Sequence, residues 1–356
     1  MRLVVNSSIA VLAVGSALAA LAQPGRHRLE RTNLLVHHDA SGNVRTGTTE
    51  ADWEIRRSEI IAGMQDVMGW LPGKEKRCPL EISIQETNDC GTFVRQLLSY
   101  ASEPGSRVPA YLLIPKSASN GTLRLPAMLS LHPTDNVHGF KNTVGLGLSN
   151  QPAYGRELAE RGYVVLAPSY PLLAGYQPDL KKLGYQSGTM KAIWDNIRGV
   201  DLLQSLPYVD GRRIGAIGHS LGGHNAIFTA VFEPRIKAIV SSCGFDSFLD
   251  YYHGNIAGWT SERYMPRLRN YSLNDIPFDF HEVIGALAPR PFFVNAPKGD
   301  DNFNWESVDR VAAAAAVIYR LKHAEKHLRI EHPDCKHAFP ESIRKEAYEF
   351  LDQALR

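Results

Sequence analysis

From Trp53 to Trp70 the apolar residues Trp53, Ile55, Ile60, Ile61, Met64, Val67, Met68 and Trp70 recur at helical spacing, and Leu71-Pro72-Gly73 closes the run. The pattern predicts a surface helix with one buried face. Residues 23–50, before it, are polar and broken by Gly and Pro, and they read as an extended lead-in. After it, runs at 80–84, 93–100 and 108–114 read as antiparallel strands, with Glu103-Pro104-Gly105 as a turn between the last two. From residue 125 the rhythm changes. Short apolar runs at 126–132, 163–168, 213–218, 236–242, 291–295 and 327–332 alternate with helical stretches near 152–160, 189–205, 221–232, 305–322 and 341–354. That alternation predicts an α/β fold, a mostly parallel, doubly wound sheet with antiparallel N-terminal strands and right-handed crossovers covering both faces. Segments 170–187 and 245–288 do not fit a crossover helix alone. Both follow strands at the carboxyl edge, where such sheets bind ligands.

Composition narrows the class. The 356 residues are 44% hydrophobic and 21% charged, the balance of a globular chain with a sizeable core. A net charge of +2 is too small for a dedicated nucleic-acid surface, so no nucleic-acid partner is expected. Four cysteines, at 78, 90, 243 and 335, are too sparse for a disulfide framework and lack the paired spacing of a zinc site. Residues 1–22 are largely apolar, are interrupted by Asn6-Ser7-Ser8 and end in Ala20-Leu21-Ala22, a small-x-small cleavage pattern. They predict a signal peptide rather than a span. The expected location is secreted or periplasmic, with no stable membrane insertion.

The strongest chemical signal is Ile214-Gly-Ala-Ile-Gly218-His219-Ser220-Leu221-Gly222-Gly223-His224, where an apolar strand runs through G-x-S-x-G into a helical stretch. A strand-to-helix turn this sharp leaves room only for Gly at 218 and 222 and lifts the Ser220 hydroxyl above the sheet. The helix N-terminus beneath it favours developing negative charge. In these residues the chain resembles the α/β-hydrolase superfamily, over about residues 80–356. The resemblance implies that Ser220 is a nucleophile, followed in chain order by an acid and then a histidine.

Asn295-Ala-Pro-Lys-Gly-Asp300-Asp301-Asn302-Phe303 follows the strand at 291–295, so the acid is one of two neighbouring aspartates. In prolyl oligopeptidase relatives this loop resembles Asp-Asp-Asn and an apolar residue, with the first Asp turned to the histidine. That match implies Asp300, leaving Asp301 to cap the next helix or bond within the loop. His337, in the loop after the last strand, has the place of the general base, whereas His332 lies on the strand and reads as structural. A metal reading of His332, Cys335 and His337 lacks a fourth ligand, so neither a metal nor a cofactor is expected. For the oxyanion, Leu221 offers one backbone N–H, and the loop Leu129-Ser-Leu-His132-Pro133-Thr134 offers the other. Pro133 has no N–H, which leaves Thr134 as the donor. His132 either braces that loop or touches substrate.

Gly199 to Gly215, and the preceding Arg107 to Pro115, are similar to the dienelactone hydrolase, acetyl xylan esterase and prolyl oligopeptidase branch. The serine motif lacks the Cys and Arg that flank the nucleophile of glucuronoyl esterases, and this sets the chain apart from them. The domain plan is then a signal peptide at 1–22, an N-terminal extension with its helix at 23–79, and the catalytic domain at 80–356 with 245–288 as a lid-like insertion. About 100 residues before the core cannot make the propeller of a prolyl oligopeptidase. The resemblance therefore implies a serine hydrolase of carboxylic esters, small-molecule or carbohydrate. The alternatives are a peptidase of prolyl oligopeptidase type and a catalytically inactive binding protein.

Overall fold

A computed structural model describes residues 28–120 and 124–356. The expected signal peptide at 1–22 lies outside the described residues. The chain opens with a hairpin of β1 (Val36–His38) and β2 (Val44–Thr46), where the sequence predicted only an extended lead-in. Helix α1 (Glu50–Met68) starts at a capping box, in which Thr49 accepts from the Asp52 N–H and Asp52 returns the bond.

Three antiparallel strands follow: β3 (Ser83–Asp89), β4 (Phe93–Glu103) and β5 (Ser106–Pro115). The first was expected at 80–84. It lies further on because β3 is an exposed edge strand that buries no apolar face, so hydrophobicity does not mark it. Then come β6 (Leu125–Leu131), α2 (Tyr154–Glu160), β7 (Val164–Pro168), α3 (Gly188–Ser205), β8 (Val209–His219), α4 (Leu221–Phe232), β9 (Ile236–Ser242), α5 (Phe280–Gly285), β10 (Phe292–Asn295), α6 (Trp305–Leu321), β11 (Leu328–Glu331) and α7 (Glu341–Leu355).

Strands β3 to β11 form one nine-stranded sheet in the order β11-β10-β9-β8-β6-β7-β5-β4-β3. The six strands from β6 onward pair in parallel, and β3, β4 and β5 pair antiparallel along the other edge. Both faces are covered. Leu129, Leu166 and Ala216 point into one core with Ile193, Ile227 and Trp53, while Met128, Val165 and Ile217 point into the other with Leu158, Ala347 and Leu351. Strands buried on both faces read as continuous apolar runs, which is why the sequence located them.

The order of crossovers reverses at β6, which lies between β7 and β8. The loops leaving β6 and β8 therefore flank a crevice at the carboxyl edge. The insertion between β9 and α5 packs over this region, and α5 is clamped from the N-terminal segment. Arg31 Nη1 meets Asp279 Oδ2 at 2.6 Å, Arg28 Nη2 meets Glu282 Oε2 at 2.6 Å, and Arg56 also pairs with Glu282.

Candidate active site

Ser220 sits between β8 and α4 with φ 55° and ψ −121°, a left-handed conformation that a serine adopts only when its surroundings impose it. Its N–H donates to Ser242 O at 2.8 Å, and its carbonyl accepts from Gly223 N–H at 2.8 Å. These bonds tie the turn to β9 on one side and to α4 on the other. Glycine is required around it. A Cβ on Gly222 would stand 1.9 Å from Leu131 O, and one on Gly218 would stand 2.1 Å from the Gly222 carbonyl. Leu221 opens α4, so its N–H is among those that have no partner inside the helix.

The loops after β10 and β11 run side by side. Ala296 N–H donates to Glu331 O, Lys298 N–H to Pro333 O and Gly299 N–H to Cys335 O, at 2.9, 3.0 and 3.0 Å. This pairing carries Asp300 to His337, whose Nδ1 lies 2.9 and 3.0 Å from the two carboxylate oxygens. Asp300 Oδ1 also accepts from the N–H groups of Asn302 and Phe303 at 2.8 and 3.2 Å. Burial pushes the Asp300 carboxyl up, but the His337 hydrogen bond and charge, with the two N–H donors, hold it below the ordinary value. An ionised Asp300 accepts from Nδ1–H, which fixes the ring's orientation and turns Nε2 away from the carboxylate. Asp301 is exposed, and the carboxylate that His337 meets is that of Asp300. Nor does it cap α6, as the sequence allowed, because Asn304 accepts from Glu306 and Ser307 N–H instead.

The Ser220 hydroxyl has no hydrogen bond to a described residue, and none joins it to His337. The His337 ring lies 5.0 Å from the ring of His219, the residue before the serine. A cavity of about 190 Å3 is lined by Ser220, Leu221, Thr134, His224, Trp259 and Tyr264, among others. Thr134 therefore stands beside Ser220, its Oγ1 3.0 Å from the Tyr264 hydroxyl. His132 does not reach this cavity's wall. Its Nε2 accepts from Tyr170 N–H at 2.9 Å and its Nδ1 donates to Pro133 O at 2.8 Å, so it braces the loop that presents Thr134. Burial drives its pKa down to about 4, and it works as a neutral brace. His332 is likewise held at both ring nitrogens, by Ala296 O at 2.7 Å and Asp309 Oδ1 at 2.8 Å.

The sequence reading passed over two residues. His224, one turn along α4 from Ser220, donates from Nδ1 to Gly244 O at 3.3 Å, packs on Trp259 at 4.7 Å and has an unpartnered Nε2. Burial lowers its pKa to about 3, so it stays neutral. The helical spacing of four from the serine is the signal that places it there. Asp246, four residues past β9, is buried with one oxygen unpartnered. No pattern in the sequence distinguishes it from a loop aspartate.

Cys243 Sγ, a carboxylate oxygen of Asp300 and a ring nitrogen of His337 lie within 4.8 Å of one another. They fit a metal poorly. Asp300 and His337 are spent on each other, and burial holds the Cys243 thiol well above its ordinary pKa, so it offers no thiolate. All four cysteines are free. Among the described residues no helix is long and apolar enough to cross a membrane.

A family model described as the prolyl oligopeptidase family matches residues 154–355. A Bacillus subtilis protein named as a hydrolase, YtaP, is 26% identical over 287 residues, covering 78% of this chain and 91% of its own length. The 4-O-methyl-glucuronoyl methylesterase 1 of Wolfiporia cocos is 24% identical over 355 residues, covering 86% of this chain and 77% of its own. A solved glucuronoyl esterase from Solibacter usitatus superposes with a TM-score of 0.74 at 17% identity, over 94% of this chain and 100% of that one. The fold is that of the α/β hydrolases. The separation from glucuronoyl esterases that the serine motif implied does not extend to overall likeness, because a difference at two motif positions leaves the sheet and its crossovers unchanged.

Proposed function

Because the chain belongs to the prolyl oligopeptidase family, we propose that it is a serine hydrolase of carboxylic esters, acting on esters of carbohydrates and exported through residues 1–22. The observation that carries the reading is the Asp300–His337 contact beside a serine held at φ 55° on a strand-to-helix turn. In this reading Ser220 Oγ attacks the ester carbonyl as its proton passes to His337 Nε2. Asp300 stabilises the imidazolium through Nδ1–H, and the N–H groups of Leu221 and Thr134 hold the oxyanion. The imidazolium then protonates the leaving alcohol, and water releases the acyl group by the same steps in reverse. Ser220 and His337 come into hydrogen-bond range as substrate binds, since such contacts are commonly open in the free enzyme.

Carbohydrate esters are favoured by the glucuronoyl methylesterase relative and by the predicted export. The family match favours a second reading, a peptidase. The described residues before β4 are one hairpin, one α-helix, a short 3-10 turn and an edge strand, which supply no screening domain of the propeller kind. The test is labelling by a fluorophosphonate probe with turnover of p-nitrophenyl acetate, an acetylated xylo-oligosaccharide, a methyl glucuronate ester and a dipeptide amide. Ser220→Ala should abolish labelling and lower ester turnover by about 10⁶. Faster cleavage of the amide than of every ester would favour the peptidase, and no labelling would leave a binding protein.

A further inference from the structure

Beside the cavity that holds Ser220 lies a larger one, of about 480 Å3, and Asn302 and Phe303 line both. We propose that this second cavity is a subsite for a neutral, hydroxyl-rich ring of the substrate, and that Asp246 is the residue that recognises it. The proposal rests on the ester-hydrolase reading of Ser220 and adds to it what lies next to the scissile bond.

Asp246 lines the cavity and is 1% exposed. Its Oδ2 accepts from Asn304 N–H at 3.1 Å, while its Oδ1 has no partner. Buried carboxyl oxygens are almost always satisfied, so an orphan beside an open cavity marks a hydrogen bond reserved for something that enters. Two other carboxylates of the lining are already engaged. Asp250 accepts from Ser307 Oγ at 2.6 Å and pairs with Arg310 at 3.0 Å, and Asp300 is taken by His337.

The charge state of Asp246 sets the chemistry of the ligand. Burial, with the nearby charges of Asp250, Asp279 and Asp300, pushes its pKa up to about 8, against the Asn304 N–H that lowers it. At neutral pH it carries a proton and offers both a donor and an acceptor. A hydroxyl group matches that pair. A cation finds the deepest carboxyl neutral, and an anion meets the carboxylates of Asp300, Asp301 and Glu306 against the ammonium of Lys298. Tyr252 and Trp305 add aromatic rings to the lining, against which the C–H side of a sugar ring can pack, and Lys298 Nζ lies 5.8 Å from the Trp305 ring centre. Tyr252 is 52% exposed, and its hydroxyl is held at 3.0 Å by Asn302 Oδ1.

The experiment measures binding of unesterified xylotetraose, cellotetraose and mannotetraose to the full chain by calorimetry, beside the cationic glucosamine tetramer and anionic trigalacturonate. At least one neutral sugar should bind and outcompete both charged ones. Asp246→Ala should weaken it at least tenfold, while Asp246→Asn, which keeps a neutral donor and acceptor, should stay within about threefold of wild type. Tyr252→Ala, at an exposed position, carries the test if Asp246→Ala does not fold, with an expected loss of about fivefold. Binding of no neutral sugar, preference for either charged sugar, failure of Asn to rescue, or affinity unmoved in Tyr252→Ala would overturn the proposal. Fluorophosphonate labelling and p-nitrophenyl acetate turnover report separately on Ser220, so a failed subsite and a failed esterase reading give different results.

Discussion

The protonated state of Asp246 has a stability consequence large enough to measure. An aspartate with a folded pKa of about 8, against an ordinary value of 3.8, binds a proton in the folded chain over a range where the unfolded chain has lost it. Between those values the folded state holds more protons, so stability falls as pH rises, the reverse of an ion-paired carboxylate. The slope is about 1.4 kcal/mol per pH unit, and some four units of range make about 5 kcal/mol between pH 4 and pH 8. That is a large part of the roughly 5–15 kcal/mol that holds an ordinary domain together. Asp300 has its pKa lowered, so its contribution has the opposite sign and is lost on acidification; a difference between two proteins at each pH removes it. The perturbation is Asp246→Asn, which keeps a carbonyl to accept the Asn304 N–H and cannot ionise. Urea midpoints for the variant and wild type at pH 4.5, 6, 7 and 8 give the difference, provided the slope of the transition is shared. The variant should match wild type to within about 1 kcal/mol at pH 4.5 and exceed it by several kcal/mol at pH 8. A pH-independent difference, or a variant less stable at pH 8, would refute the reasoning and place Asp246 among ordinary carboxylates.

Other outcomes follow from distances at the site. Asp300→Asn, which presents an amide to His337 Nδ1 and favours the wrong tautomer, should lower kcat by up to about 10⁴ with the fold retained by circular dichroism. Asp301→Asn should leave both kcat and stability nearly unchanged, within about 0.5 kcal/mol, since Asn304 is the cap of α6; reversed kinetics in the two variants would exchange their roles. Gly222→Ala puts a methyl 1.9 Å from Leu131 O, backbone against backbone, and should cost at least about 3 kcal/mol in urea unfolding; a wild-type midpoint would mean the turn is looser than its geometry. Cys243, 2% exposed with its thiol pushed up, should resist a thiol reagent at pH 7.5 in the folded chain and leave activity untouched; inactivation that substrate prevents would show otherwise.

The parts of this molecule that were legible in the sequence are those whose signal is local. The strands β6 to β10 are rich in apolar residues because both faces are covered, the half-buried edge strand β11 keeps Leu328 and Ile330, and each was located to within a few residues, β8 starting furthest from expectation at Val209 rather than 213. The serine turn is legible because close packing leaves only glycine at 218 and 222. The edge strand β3 is not, because Ser83–Asp89 is exposed throughout and packs nothing. The β1–β2 hairpin has strands of three residues, too short to show a period. Asp300 and Asp301 are equivalent in composition and differ only in direction, which depends on the pairing of two loops after different strands. His224 and Asp246 are further from view. Their chemistry comes from burial and a missing partner, properties conferred by residues far away in the chain.

The insertion after β9 completes cavity walls that begin on the loops at the end of the sheet. Ser220, Asp300 and His337 stand just past the ends of β8, β10 and β11. Asn295 donates to Ser242 Oγ at 2.8 Å and to Ala338 O at 2.9 Å, binding the ends of β9 and β10 to the His337 loop. Ser220 and Cys243, the residues just past β8 and β9, both have positive φ, 55° and 48°, so each strand end turns sharply beside that network. The cavity walls are shared, because Lys298 and Asp300 to Glu306, in the loop after β10 and the start of α6, line the larger cavity together with residues of the insertion. Asp246, Tyr251, Trp259 and Tyr264 belong to the insertion, whose apolar residues Phe245, Phe248 and Met265 lie in the main core. Its far end, α5, is fixed by buried guanidinium groups of the N-terminal segment on Asp279 and Glu282. Ions this deep contribute little net stability but are costly to separate, so the clamp specifies position more than it adds strength. The N-terminal segment thus acts on the candidate site at a distance, by fixing the insertion that helps to wall it, while Ser220, Asp300 and His337 are held through the ends of the sheet.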